Sequence, residues 1–385
     1  MKRTNNVKPV RSMIGMSLVE ILAAMLIGLI GMTIIMQVFT ISENRKRTTG
    51  GASDAQITGN IAMFSLEREV RNAGYGMVSP HGNLLHCDPV VAWDSRRNPT
   101  NFTFSLVPLV ISDGPGGAPD QIRITYSNTS KPALSAVGFS KAPGDISKAF
   151  LMTDIAGLGA GDLAIVSDPA AGVDCGLIEI TAIQAGQVIQ HVQGFEYTYT
   201  DEFGFPVTKT ATYNKPGGIE IGGTLSNNAQ FFGLGPKLRV STFLINNASL
   251  ETRTLFPYDP GLDLDNDGLS ETKLAAGVVQ LQAQYGKDTN GDRIVDTWDN
   301  VTPASATDWL QLRAARLALL VRSSQFERTA VTTVAPTWYA GAYTMTNLDG
   351  TPDTNPGDDN DWRHYRYRNY QMVVPLRNMI WSTDP

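Results

Sequence analysis

Gly15-Met16-Ser17-Leu18-Val19-Glu20, followed by the uncharged apolar run Ile21–Ile41, decides how the rest of the chain is read. A helix rises 1.5 Å per residue, so the run reaches roughly 30 Å, the thickness of a bilayer's hydrocarbon core. Glu20 is the one charge at its N-terminal side. A carboxylate inside a membrane helix costs about 2.5–3.5 kcal/mol on insertion scales, so it needs a reason to be there.

The order of parts differs from that of a secretory signal peptide, which places a small-residue cleavage site after its apolar core. Here a hydrophilic leader, Met1–Gly15 with Lys2, Arg3, Lys8 and Arg11, precedes the run, and no A-x-A follows it. A cut after Gly15 would leave the apolar helix on the mature chain. This resembles the class III signal of type IV pilins and pseudopilins, with Met16 where Phe is usual. The resemblance implies cleavage between Gly15 and Met16 by prepilin peptidase and methylation of the new Met16 amine. It also implies that Glu20 pairs with the free amine of a neighbouring subunit during assembly.

The chain has 385 residues, enough for one or two domains beyond the helix. Loss of the leader's four basic residues takes the formal net charge from −6 to −10. An acidic chain is a poor bulk electrostatic partner for DNA, so no direct nucleic-acid binding is expected. Charge alone does not orient the span, because Arg45, Lys46 and Arg47 follow it closely. Cys87 and Cys175 are the two cysteines. In an exported domain they would form one disulfide closing a loop of about 90 residues, worth on the order of 4 kcal/mol; two separate buried thiols are the alternative.

After the apolar run the helix is expected to weaken at Gly50-Gly51 and resume from Asp54 to about Ala73. There Ile57, Ile61 and Phe64 at i, i+4, i+7, with Leu66 and Val70 beside them, would face a globular head, with Glu67, Arg68, Glu69 and Arg71 opposite. Gly74-Tyr75-Gly76 ends it. From residue 77 the period becomes 2. Strands are expected at 121–127, 163–166, 177–183, 188–192, 195–199, 238–245, 279–285 and 317–321, the seventh half-buried by its strict alternation. A short helix is expected at 309–314, capped by Thr307 or Asp308, and loops at 112–120, 214–236 and 346–361.

Two acidic loops suggest a hard cation. Asp288, Asn290, Asp292, Asp296 and Asp299 fall at positions 1, 3, 5, 9 and 12 of a loop whose position 7, Ile294, would offer its carbonyl. Ca²⁺ takes six to eight oxygens, and alternate residues of a tight loop can converge on one point. The spacing is similar to an EF-hand loop, with Arg293 in place of the usual Gly and Asp for Glu at position 12. Asp263, Asp265, Asp267 and Glu271 repeat the start of the pattern with Gly268 kept and Leu274 at position 12. Asp, Asn and Gly also favour plain solvated turns. A structural Ca²⁺ is the cofactor expected. His81, His86, His191 and His364 lack metal-ligand spacing, and no GxSxG or Walker A sequence occurs, so no enzyme is expected.

Met63–Gly76, Val278–Asp299, Leu317–Ser323 and Val374–Trp381 resemble the PilW family of type IV pilus minor pilins. That resemblance implies an α+β fold, a long N-terminal pilin helix packed on a β-rich head. The parts would be a leader at 1–15, a transmembrane and assembly helix at 16–42, an amphipathic half at 43–76 and a periplasmic head at 77–385. It implies a subunit of a priming complex at the pilus tip, needed for assembly and supporting twitching, adhesion and DNA uptake. Its partners would be other minor pilins, the major pilin, prepilin peptidase and the inner-membrane assembly machinery. A J-type pseudopilin of type II secretion, or a membrane-anchored adhesin or enzyme with a pilin-like anchor, are the other readings.

Overall fold

A computed structural model of the chain describes residues 17–79, 82–85, 87–127, 137–139, 149–153, 155, 157–201, 203–219, 224–226, 228–236, 238–349 and 360–380. Two compact units result, residues 1–53 and 54–385. In the first, the described residues are the start of helix Leu18–Asn72, whose segment Leu18–Glu43 is long and apolar enough to cross a membrane. The helix does not break at Gly50-Gly51. Glycine's cost in a helix, about 1 kcal/mol against Ala, lowers helical stability without forbidding helical angles.

The second unit begins with the rest of that helix and continues as a set of sheets. A four-stranded antiparallel sheet runs Thr297–Asp299, Val278–Lys287, Leu312–Arg322, Tyr367–Pro375 in spatial order. A five-stranded one runs Ser270–Ala276, Ser249–Phe256, Leu238–Asn246, Gln121–Ser127, Leu109–Ser112. A six-stranded sheet runs Asn101–Phe104, Val90–Trp93, Val173–Glu179, Leu163–Asp168, Gln230–Gly235, Val137–Gly138. Its parallel pair sets Cys175 against Val90, and Cys87 and Cys175 are bonded there. The two cysteines are therefore one disulfide.

The inward face of the helix takes Leu66 and Val70 as expected, but not Ile57, Ile61 and Phe64. Ile57, Ile61 and Phe64 are 57%, 53% and 63% exposed, while Ala55, Ala62, Met63, Leu66, Val70 and Ala73 are buried. Small residues win because they let the helix approach the sheet. A side chain on Gly59 would stand 2.1 Å from the Tyr370 ring, and the Tyr370 hydroxyl donates to the Gln56 carbonyl at 3.0 Å. Glu69, expected outside, is also buried; it accepts from the Tyr126 hydroxyl at 2.7 Å and pairs with Arg239 at 3.1 Å. Leu66 and Val70 join Ile122, Phe243, Leu281, Tyr285, Leu317 and Leu319 in one core between helix and sheets. Gly74, at φ +77°, ends the helix and donates to the Thr125 carbonyl at 2.9 Å.

Other differences have local causes. The strand expected at 177–183 breaks after Glu179 and resumes at Ala182. The expected loop 214–236 contains a strand at Gln230–Gly235, and the short helix is Ala306–Leu310, held by a reciprocal capping box of Ser305 and Asp308. The sequence Leu312–Val321 continues as strand from that point. Strand Val278–Lys287 is buried on both faces. Gln280 and Gln282 lie inside because their amides donate to the carbonyls of Gly117 and Ala118 at 3.1 and 2.9 Å.

Asp120 fixes the loop above that strand. Its carboxylate accepts from the Gly114 and Ala283 amides at 3.0 and 2.8 Å. Burial pushes its pKa up to about 6, with those two bonds opposing. The folded state thus holds this proton more tightly than the unfolded one. The associated stability is complete below about pH 4 and is lost as pH rises through about 6. Denaturant melts of the wild type and Asp120→Asn should show their stability difference shifting against the wild type, by up to about 2–3 kcal/mol, between pH 4 and 7. A difference that does not change with pH would refute the raised value. Gly59→Ala should cost about 1–3 kcal/mol in the same melts by pushing Tyr370 away, whereas Ile61→Ser, on the exposed face, should cost less than about 0.5 kcal/mol.

Candidate functional site

Three stretches carried the functional expectations, and each is placed differently. Gly15 and Met16 lie outside the described residues. Glu20 stands in the first turn of the helix, where its carboxylate accepts the Ser17 amide at 2.9 Å and the Glu20 amide donates to the Ser17 hydroxyl at 3.2 Å. This is a capping box, and Ser17-x-x-Glu20 is its sequence signature. The cap supplies a local reason for a carboxylate at the head of an apolar helix. An N–H without a partner in hydrocarbon costs several kcal/mol, and here two are satisfied reciprocally.

The 288–299 loop makes a tight turn with Arg293, at φ +69°, in the position where Gly is usual. Asp288, however, is committed elsewhere. Its buried carboxylate accepts from the Gly291 and Arg293 amides at 2.7 and 2.9 Å and from Arg313 at 3.1 Å. Burial alone would raise its pKa; the Gly291 bond, Arg313 and the Arg293 bond outweigh that and hold it below the ordinary value. Asp292 accepts the Ile294 amide at 2.8 Å, Asp296 the Thr289 hydroxyl at 2.9 Å, and Asp299 the Lys287 ammonium at 2.7 Å. Asn290 bonds Asp292, and the Ile294 side chain is exposed. These carboxylates serve the turn and two cations, and they do not form one cluster.

The other loop does. Among the described residues, Asp263, Asp265 and Asp267 are the one group of three or more acidic, His or Cys side chains whose ligand atoms lie within 4.8 Å of one another. Asp263 accepts the Tyr258 hydroxyl at 2.8 Å and the Gly268 and Asp267 amides at 3.0 and 3.1 Å. Burial would raise its pKa, but the Tyr258, Gly268 and Asp267 bonds hold it low. Asp267 and Glu271 are raised, each chiefly by burial, with Asp265 adding repulsion. Arg253 reaches Asp267 at 3.4 Å and Glu271 at 3.2 Å, closing one side of the cluster. A donor set made only of oxygens suits Ca²⁺ or another hard cation. A distant residue with no local signal in the sequence holds the loop in place: Arg97, stacked between Phe102 and Tyr258, donates to the Gly268 and Leu255 carbonyls.

Residues 242–378 match the family described as type IV pilus-assembly protein W. That span holds both acidic loops and all four strands of the four-stranded sheet. A type IV-like pilin from Thermus thermophilus is similar over 85% of this chain and 96% of that one, at 12% identity and a TM-score of 0.31, a superposition too loose to bear on function. No curated protein matches.

Asp288→Ala should destabilise the protein by about 3–5 kcal/mol, because it strands the Arg313 charge in a mostly buried place. Asp292→Ala should cost less than about 1 kcal/mol, and Arg293→Gly should gain about 1 kcal/mol by removing a left-handed non-glycine residue. Urea midpoints order the three; a tolerated Asp288→Ala would refute the assignment of that residue to Arg313.

Proposed function

We propose, from a C-terminal region in the type IV pilus-assembly protein W family and an apolar helix headed by Glu20, that the chain is a minor pilin required for type IV pilus assembly. Its mechanism is non-enzymatic. The apolar helix holds the subunit in the inner membrane with the β-rich head in the periplasm, and prepilin peptidase cuts after Gly15 and methylates Met16. On extraction the helix packs among those of other minor pilins and the major pilin, in a complex that primes the filament and stays at its tip. Twitching, adhesion and DNA uptake follow from the filament.

The Ser17–Glu20 cap supports this reading, since both partners lie on the mature side of the cut and survive it. It also separates two roles of Glu20. A neutral amide can still accept the Ser17 N–H, but it cannot neutralise the amine of an adjacent subunit. Glu20→Gln should therefore abolish incorporation into pili with the head still folded, while Ser17→Ala should leave incorporation within about twofold of wild type. Immunoblots of sheared pili read both. Wild-type incorporation of Glu20→Gln would remove the charge role. Intact mass from cells with and without prepilin peptidase tests the processing, which predicts loss of residues 1–15 and gain of one methyl group only when the peptidase is present.

We further propose that loop 263–271 takes Ca²⁺, with Asp263, Asp265 and Asp267 as carboxylate ligands; their shared approach within 4.8 Å supports it. The ion would supply charge neutralisation to three crowded carboxylates. With a dissociation constant near 0.1 mM, about 1 mM CaCl₂ should raise the melting temperature by about 2–4 °C. Asp265→Ala should abolish the rise, whereas Asp292→Ala should retain it. A rise that follows Asp292 would move the site to the other loop.

A further inference from the structure

An open sheet edge is a template for another strand, and natural proteins keep such edges short, charged or covered. Asn101–Phe104, Leu109–Ser112 and Thr297–Asp299 are edge strands of four residues or fewer, and the edge strand Ser270–Ala276 carries Glu271 and Lys273. Tyr367–Pro375 has neither protection. It is the outer strand of the four-stranded sheet, nine residues long, and its stretch Asn369–Val374 holds no charge. Its register fixes which main-chain groups are used. The Leu376 amide donates to the Arg313 carbonyl and the Ser323 amide to the Arg366 carbonyl, both at 2.8 Å, so both ends of the ladder place the even-numbered residues of 366–376 in hydrogen-bonded pairs. Such pairs alternate along an antiparallel ladder. The N–H and C=O of Tyr367, Asn369, Gln371 and Val373, and the C=O of Pro375, therefore point away from the sheet. Asn369, Gln371, Val373 and Pro375 are exposed, and among the described residues no hydrogen bond reaches these main-chain groups.

The side chains along this edge are already held. The Asn369 and Gln371 amides donate to the Thr337 carbonyl on one face, and the Tyr370 hydroxyl donates to the Gln56 carbonyl on the other. Little of this side must be ordered when a strand is added, and main-chain bonds then supply the attraction. We infer that the edge pairs antiparallel with the same edge of a second copy of this chain, about a two-fold axis at Gln371. Two main-chain bonds form between the two Gln371 residues, two at each Asn369–Val373 pairing, and one at each Tyr367–Pro375 pairing, where proline has no N–H. Every outward N–H thus finds a carbonyl. Arg368 stands opposite Val374 and Arg366 opposite Leu376, so no like charges meet. Tyr370 stands opposite Met372. This self-complementarity is what favours a second copy as the occupant. The contact is isologous, so it closes as a dimer and does not propagate.

Sedimentation of the full-length protein in detergent micelles, over a range of concentrations, reads the dimer. Gln371→Pro and Val373→Pro each remove an outward N–H and leave the bonds to strand Leu312–Arg322 in place, as proline on an edge strand can. Each should keep the wild-type melting temperature and raise the dissociation constant of the dimer by about tenfold or more. Val373→Pro carries the test if Gln371→Pro does not fold. Gln371→Cys treated with a short bismaleimide should give a covalent dimer, because Cys87 and Cys175 are bonded to each other and bring no free thiol. The same reagent applied to cells should link Gln371→Cys to another copy of the chain. A protein that stays monomeric at every concentration would overturn the proposal. So would a dimer that Val373→Pro leaves as strong, which the apolar helix and not the edge would then be holding. Linkage of Gln371→Cys in cells to a different protein would also overturn it.

Discussion

A helix can lie on a sheet only as closely as its inward side chains allow. On residues 54–72 that limit is set by Ala55, Gly59 and Ala62, and at Gly59 the Tyr370 ring occupies the space where a side chain would be. The close approach puts Leu66 and Val70 into a core shared by the four-stranded and five-stranded sheets. It also carries Glu69 down to the Tyr126 hydroxyl and Arg239, so one buried carboxylate ties the helix to two strands of the second sheet. Ile57, Ile61 and Phe64 lie on the opposite side of the helix and face outward.

The two acidic loops separate uses of Asp that look alike in sequence. A carboxylate can close a turn by accepting amides, neutralise a fixed cation, or stand close to its own kind. Asp288 does the first two, closing its turn and pairing with Arg313. Asp263 closes its turn as well, but its neighbours Asp265 and Asp267 remain close enough for one ion to span all three. The loop with more ligand positions in the sequence is thus the one with fewer carboxylates brought together. The deciding residue, Arg313, lies 25 positions from Asp288 on a different strand.

What was legible were features fixed by local chemistry. The apolar run, the change of period from 3.6 to 2, the strands at 121–127 and 238–245, and the Gly74 stop all depend on neighbours in sequence, and they appear where expected. The Ser17–Glu20 cap carries the S-x-x-E signature, which the reading of Glu20 as an assembly residue passed over. The rest of the helix's inner face was not legible: Leu66 and Val70 are buried as read, but Ile57, Ile61 and Phe64, read onto the same face, are exposed, and Ala55, Gly59 and Ala62 take their place. Nor were Gln280 and Gln282, whose alternation reads as a solvated edge until the 114–118 loop supplies carbonyls to bury them. The Arg97 clamp on the 263–271 loop has no local signal; it spans 171 positions.

The last described helix, Arg377–Ile380, has a bearing on how the head is made. Asn378 donates to the carbonyls of Asn72 and Ala73, both at 3.1 Å, supplying partners that the end of the long helix cannot find within itself. Those residues are 306 and 305 positions apart in sequence. The end of the long helix is therefore completed by a residue about 300 positions further along the chain. A chain clipped before Asn378 keeps the long helix but presents a frayed helix end and an unfinished core. Such a chain is a substrate for proteolysis, so the wiring makes synthesis past Asn378 a condition for a fold that lasts.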